Sequence, residues 1–252
     1  MSVLVVQGLS KSFGGVQAVG DVSFAVAPGE MLAMIGPNGA GKSTCFNMVG
    51  GQLRPDAGSV VLDGRSITGL GPRAIARQGV GRTFQITATF GSMTVRENVQ
   101  MALLSHRREI WQFWRPVAGR YAGEADALLA QVGLEAQAER ATGVLAYGDL
   151  KRLELAIALG NEPRLLLMDE PTAGMAPAER VGLMQLTRRL ATERGVAVLF
   201  TEHDMDVVFD VSDRILVLNR GVLIAEGDGA SIRANPAVRE IYLGTGATSG
   251  GH

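Results

Sequence analysis

The string GPNGAGKST at 36–44 constrains this chain more than any other feature. It matches the spacing G-x-x-x-x-G-K-[ST] and stands directly between an apolar run, MLAMI, and a helical pattern. A strand that passes through such a loop into a helix leaves successive N–H groups pointing inward, an anion nest capped by the positive end of the helix. Gly36, Gly39 and Gly41 allow the tight backbone, and Pro37, Asn38 and Ala40 complete the cradle. Lys42 supplies a point charge for β- and γ-phosphates, Ser43 an oxygen ligand for Mg²⁺, and Thr44 a further hydrogen bond. The phosphates are expected to bind backbone first.

The other half of the pocket lies far along the chain, where four apolar residues, LLLM at 165–168, run into Asp169 and Glu170. A buried strand ending in two acids suits Asp169 to hold Mg²⁺ and Glu170 to polarise an attacking water as general base. The runs LLLMDE, VAVLFTEH and RILVLNRG are separated by helical segments such as ERVGLMQLTRRLATERG. That alternation predicts a parallel sheet with helical crossovers, whose ligands sit beyond the carboxyl ends of the strands. Short alternating runs with Gly and Pro between them over residues 3–35 predict antiparallel strands. Gly58 to Leu62, with the turn Asp63-Gly64, is expected to complete a small antiparallel sheet beside the main one. From about Val95 to Leu159 the pattern is helical, which predicts an inserted helical subdomain.

Composition narrows the setting. Apolar residues make up 46% of the 252 and charged residues 19%, so the chain reads as globular except for its last stretch. With 24 Lys and Arg against 25 Asp and Glu, no global field exists to hold nucleic acid or an anionic membrane. No apolar run reaches the about eighteen residues of a membrane-spanning helix, and the N-terminus lacks the pattern of a signal peptide. A location in the cytoplasm is therefore expected, with any membrane contact made through a protein partner. A single cysteine, Cys45, excludes an intrachain disulfide.

Five further segments, taken in order, make the chain resemble the ABC ATPase family over nearly its whole length. These are KSFGGVQAV at 11–19, GRTFQ at 81–85, LAYGDLKRLELA at 145–156, DEPTAGMAP at 169–177 and TEHDMD at 201–206. The resemblance implies a P-loop NTPase (RecA-like) α/β fold with an N-terminal antiparallel β subdomain and an inserted α-helical subdomain. It implies one ABC ATPase domain over 1–244, its core at about 1–94 and 160–244, its helical part at about 95–159, and a flexible tail at 245–252. It further implies that Phe13 stacks on the adenine of ATP, that Gln85 touches Mg²⁺ and senses the membrane partner, and that His203 contacts the γ-phosphate. Ala146 and Gly148 fall in the segment resembling the family's signature motif, which grips ATP held by a second ATPase subunit. Two such subunits are expected to sandwich two nucleotides head to tail.

The chain departs from the family at three positions. Ala146 replaces the usual signature serine, Leu150 the usual glutamine, and Ala176 the D-loop aspartate. These losses are expected to weaken the partner's site while leaving Lys42 and Glu170 intact. More narrowly, LAYGDLKRLELAIAL, DEPTAGMAP and the closing IYLG at 241–244 resemble the ATPases of branched-chain amino-acid importers. That resemblance implies a peripheral subunit on the cytoplasmic face of the inner membrane, beneath two transmembrane permease subunits, with a periplasmic binding protein acting indirectly. The alternative is a soluble ABC ATPase serving translation or DNA repair. Both tryptophans and several arginines fall in HRREIWQFWRPVAGRY at 106–121, expected to face a partner.

Overall fold

The computed structural model describes residues 2–83, 89–107, 109 and 119–244. Two sheets divide the strands by their sequence pattern. Alternating burial marks β1 (Leu4–Phe13) and β2 (Val16–Val26), which pair antiparallel through the Gly14-Gly15 turn. Both glycines take positive φ, 53° and 86°, the geometry of a tight hairpin turn. Uninterrupted burial marks β3 (Met31–Ile35), all of whose residues are enclosed, as for a strand covered on both faces. Although it follows the hairpin in sequence, β3 leaves the antiparallel sheet and enters the parallel one.

After β3 the chain forms α1 (Lys42–Val49), then β4 (Ala57–Leu62) and β5 (Arg65–Ser66), which finish a four-stranded antiparallel sheet in the order β2-β1-β4-β5. A short α2 (Pro72–Ala76) leads to β6 (Val80–Thr83). A helical layer follows, made of α3 (Val95–His106), α4 (Ala122–Val132) and α5 (Tyr147–Leu159), with two 3-10 turns between the last two. Thr94 opens α3 with a capping box: its hydroxyl accepts from the Glu97 N–H, and the Glu97 carboxylate accepts from the Thr94 N–H.

The remaining elements alternate as β7 (Leu165–Asp169), α6 (Pro177–Arg194), β8 (Ala197–Thr201), α7 (Met205–Val211), β9 (Arg214–Asn219) and β10 (Val222–Gly227). Two helices, α8 (Gly229–Ala234) and α9 (Pro236–Gly244), close the described chain. The large sheet has the order β10-β9-β3-β8-β7-β6, parallel from β9 to β6 with β10 antiparallel at one edge. Neither edge strand stands out in sequence, because Val80–Thr83 is short and Val222–Gly227 is half exposed. One apolar cluster fills the space between the large sheet, the helical layer and α6. The other lies between the two sheets around Phe46, Leu32 and Leu199.

This order decides where chemistry can occur. It places β8 between β3 and β7, so the carboxyl ends of three parallel strands from distant parts of the chain stand side by side.

Candidate functional site

At the end of β3 the backbone turns through Gly36, Gly39 and Gly41, with φ of 152°, 78° and 99°. Two of these positions exclude a side chain outright. A Cβ on Gly36 would lie 2.1 Å from the Leu218 carbonyl oxygen, and one on Gly41 would lie 2.5 Å from that of Ala18. The loop is thus pressed against β9 and β2, and the Gly221 N–H donates to the Ala40 carbonyl at 2.9 Å. Gly41 is the N-cap of α1 and no side chain caps that end, so its first N–H groups remain directed into the loop.

Lys42 is buried, and its Nζ donates to the carbonyls of Gly36 at 2.6 Å and Pro37 at 3.1 Å. Burial lowers its pKa, opposed by the negative charges of Glu170 and Asp169. Asn38 and Ser43 are exposed and Thr44 half-buried, leaving polar groups accessible at the mouth of the loop. Cys45 is fully enclosed behind it, and burial pushes its thiol up to about 12.

Asp169 ends β7, and its Oδ1 accepts from the Thr201 hydroxyl at 2.7 Å. Arg82, on β6, places a guanidinium nitrogen 3.8 Å from the other oxygen, stacks over the Phe46 ring and donates to Asn47. Glu170 follows at φ 47°, a conformation uncommon for a residue with a side chain. Its N–H is held by the Thr201 carbonyl at 3.2 Å and the Thr201 hydroxyl at 3.1 Å. One oxygen of Glu170 lies 2.8 Å from Nε2 of His203, which stands just beyond β8. Lys42, Asp169, Glu170 and His203 therefore surround one crevice.

Three residues of this crevice escaped the sequence reasoning. Thr201 is a hydroxyl at a fully buried strand position, a signal available in VAVLFT. Arg82 stands in a strand that was not recognised, and Glu202 lies buried beside the more conspicuous His203.

Phe13 sits at the tip of the hairpin and is 49% exposed, so its ring is free to meet a flat partner. The Lys11 ammonium lies 5.7 Å from the ring centroid. Gln85 lies outside the described residues, as does most of 106–121, including both tryptophans. The tail 245–252 lies outside them too.

Ala146 is the N-cap of α5, which no side chain caps. Gly148 falls inside the first turn of that helix. A Cβ there would lie 3.0 Å from the Glu179 carboxylate of α6, so glycine permits that close approach. The Tyr147 hydroxyl donates to the Ala173 carbonyl at 3.1 Å, tying the start of α5 to the turn after Glu170.

Beside the crevice, with Arg82 common to both, a cleft of about 800 Å³ opens between α2, β6 and the helical layer. Arg73, Arg77 and Arg82 line it from one side, His106 and Glu154 from the other. Among the described residues, the buried Arg82 Nη1 and Glu154 Oε1 have no hydrogen-bond partner. Among the described residues no cluster of His, Cys, Asp and Glu is arranged to hold a metal by protein ligands alone. None of the described helices is long and apolar enough to cross a membrane.

Comparison with known proteins points to one family. Residues 19–173 match the family described as ABC transporter, and residues 222–248 match one described as branched-chain amino acid ATP-binding cassette transporter. The high-affinity branched-chain amino acid transport ATP-binding protein BraF of Pseudomonas aeruginosa is 42% identical over 96% of this chain and 98% of its own length. The corresponding LivG protein of Escherichia coli is 40% identical over 96% and 98%. Among solved structures, the ADP conformation of an ATP-binding cassette of an ABC transporter superposes with a TM-score of 0.85 at 31% identity, covering 97% of this chain and 99% of that one. A nucleotide-free cassette gives 0.83 at 31%, covering 96% and 99%.

Proposed function

The chain belongs to the ABC transporter family, and on that footing we propose that it is the ATP-hydrolysing subunit of an importer for branched-chain amino acids or a closely related solute. The observation that carries the reading is the crevice itself, where the glycine loop with Lys42 faces Glu170 and His203 across adjacent strand ends. The importer reading is supported over a soluble assembly factor by relatives described as transport ATP-binding proteins, which this chain matches over nearly their full length.

In this reading the triphosphate lies in the nest of N–H groups from Gly36 to Thr44, and the adenine stacks on Phe13. Lys42 exchanges its carbonyl partners for β- and γ-phosphate oxygens. Ser43 and Asp169 offer hard oxygen donors, the set that suits Mg²⁺ held jointly by a protein and its nucleotide, and Gln85 is assigned a third contact. The ion supplies neutralisation of phosphate charge. Glu170 accepts a proton from a water aligned with the γ-phosphorus. That water's oxygen bonds to phosphorus as the bond to the bridging oxygen breaks, releasing ADP and phosphate. His203 orients the γ-phosphate and, through its contact with Glu170, the base. The N-terminus of α5, with Ala146 and Gly148, is assigned to the phosphate of a nucleotide held by a second ATPase subunit.

The cleft between α2, β6 and the helical layer is the place we assign to a transmembrane permease subunit, since Thr83 and Thr89 in its lining flank the segment that holds Gln85. The chain then works at the cytoplasmic face of the membrane, and a periplasmic binding protein acts only through the permeases.

Purified chain with Mg²⁺ and ATP is expected to release phosphate. Glu170→Gln is expected to bind ATP as before while losing about 10²–10⁴-fold in turnover. Equal turnover in the variant would remove Glu170 from the role of base. Affinity capture from detergent-solubilised membranes is expected to bring down two multi-spanning proteins and a second ATPase. Ribosomal or DNA-bound partners without a membrane protein would overturn the transport reading.

A further inference from the structure

Glu202 is 5% exposed, and a carboxyl group enclosed to that degree is costly unless its oxygens are bonded. Both are. Oε1 accepts from the Thr172 N–H at 2.9 Å and the Thr172 hydroxyl at 2.6 Å, and Oε2 accepts from the His203 N–H at 3.1 Å. One carboxylate therefore spans two segments that are 30 residues apart in sequence.

The two segments carry the crevice's reacting pair. Thr172 lies two residues after Glu170, in a turn closed by the Ala173 N–H donating to the Glu170 carbonyl at 3.1 Å. Glu170 itself is held on its other side by Thr201 and keeps a positive φ that a side chain does not favour. The His203 side chain is 52% exposed, so packing does little to hold its ring, and its reach to Glu170 depends on where its backbone is anchored. Glu202 supplies that anchor.

We propose that Glu202 is a positioning residue for ATP hydrolysis: by clamping the Thr172 turn and the His203 backbone together, it sets the approach of His203 to Glu170. The proposal rests on the ATPase reading above. Glu202 touches neither water nor phosphate in it. The clamp also reaches the start of α5, because the neighbouring Ala173 carbonyl accepts from Tyr147.

Glu202→Gln tests the clamp, since an amide must turn its NH₂ toward the Thr172 donors or toward the His203 N–H, and one half opens. In the full chain, kcat is expected to fall about tenfold with the KM for ATP unchanged within about twofold. His203→Ala is expected to cost far less in the Glu202→Gln background than alone, whereas Thr172→Ser, which keeps the hydroxyl, stays near wild type. Unchanged kcat, or losses that multiply independently with His203→Ala, would overturn the proposal. A second readout needs no turnover. The Thr172 and His203 amide protons, both bonded to the Glu202 carboxylate, are expected to exchange slowly in the wild type and faster on at least one side of the clamp in Glu202→Gln; unchanged exchange at both overturns the clamp. Wild-type chain that releases no phosphate would count against the ATPase reading, and the exchange rates would still decide the role of Glu202. Should Glu202→Gln not fold, Thr172→Val removes only the hydroxyl donor and carries the same comparisons.

Discussion

Among single residues, the glycines of the phosphate loop and the cysteine behind it illustrate two different uses of space. Gly36 is required because a neighbouring carbonyl occupies the place of its side chain, and Gly41 because it must take a positive φ against Ala18. Cys45 sits on the far side of α1 from the crevice, among Phe46 and the second apolar cluster. Its thiol is pushed up to about 12 by that burial, so the reactive thiolate is scarce at neutral pH and grows only in strong alkali. Folded chain is expected to resist Ellman's reagent at about pH 8, and chain unfolded in guanidinium to react with one equivalent. Prompt labelling of the folded chain would place Cys45 at an accessible surface. The place of Lys42 at the end of a glycine loop was legible from its spacing alone. The pairing of Asp169 with Thr201 was not, since it joins side chains 32 residues apart.

At the level of elements, α5 shows how one substitution changes two properties. Its N-cap, Ala146, has an extended backbone (φ −62°, ψ 152°) suited to a capping hydroxyl, but alanine has none to offer. Ala146→Ser is expected to stabilise the chain by about 1 kcal/mol, read as a rise of about 2–4 °C in melting temperature. In the assembled complex it is also expected to raise ATP turnover, because in the proposed pairing the same hydroxyl would face the partner's nucleotide. A melting temperature that rises with turnover unchanged would separate the structural gain from the functional one. Helices α3 to α5 were readable because apolar residues recur at helical spacing over ten or more positions. β6 was not, because four residues containing Gly81 and Arg82 carry too little pattern, and its strand character comes from pairing with β7.

For the whole molecule, the proposed function makes the start of α5 and the glycine loop two halves of nucleotide sites that close only between two subunits. Glu170→Gln in Mg²⁺ and ATP is expected to elute from gel filtration at twice the mass of the ADP-bound chain, because ATP joins the halves and slow hydrolysis keeps them joined. If the complementary half belongs to a different ATPase, the shift is expected only when that chain is added. No shift in either case would argue against the head-to-tail pairing.

The parts of the candidate site could be read from adjacent residues: a glycine loop after an apolar strand, two acids at the end of another, a histidine just beyond a third. Each is a local pattern, dictated by backbone geometry and by the need of apolar runs to be enclosed. What no local pattern contains is the strand order. That order sets β8 between β3 and β7, brings β3 out of the N-terminal antiparallel sheet, and lets Thr201, Glu202 and Arg82 act on residues far away in sequence. These contacts depend on which strands are neighbours, and neighbours are chosen by the enclosure of two apolar clusters at once. Side chains that anchor other side chains across strands therefore emerged only with the tertiary structure.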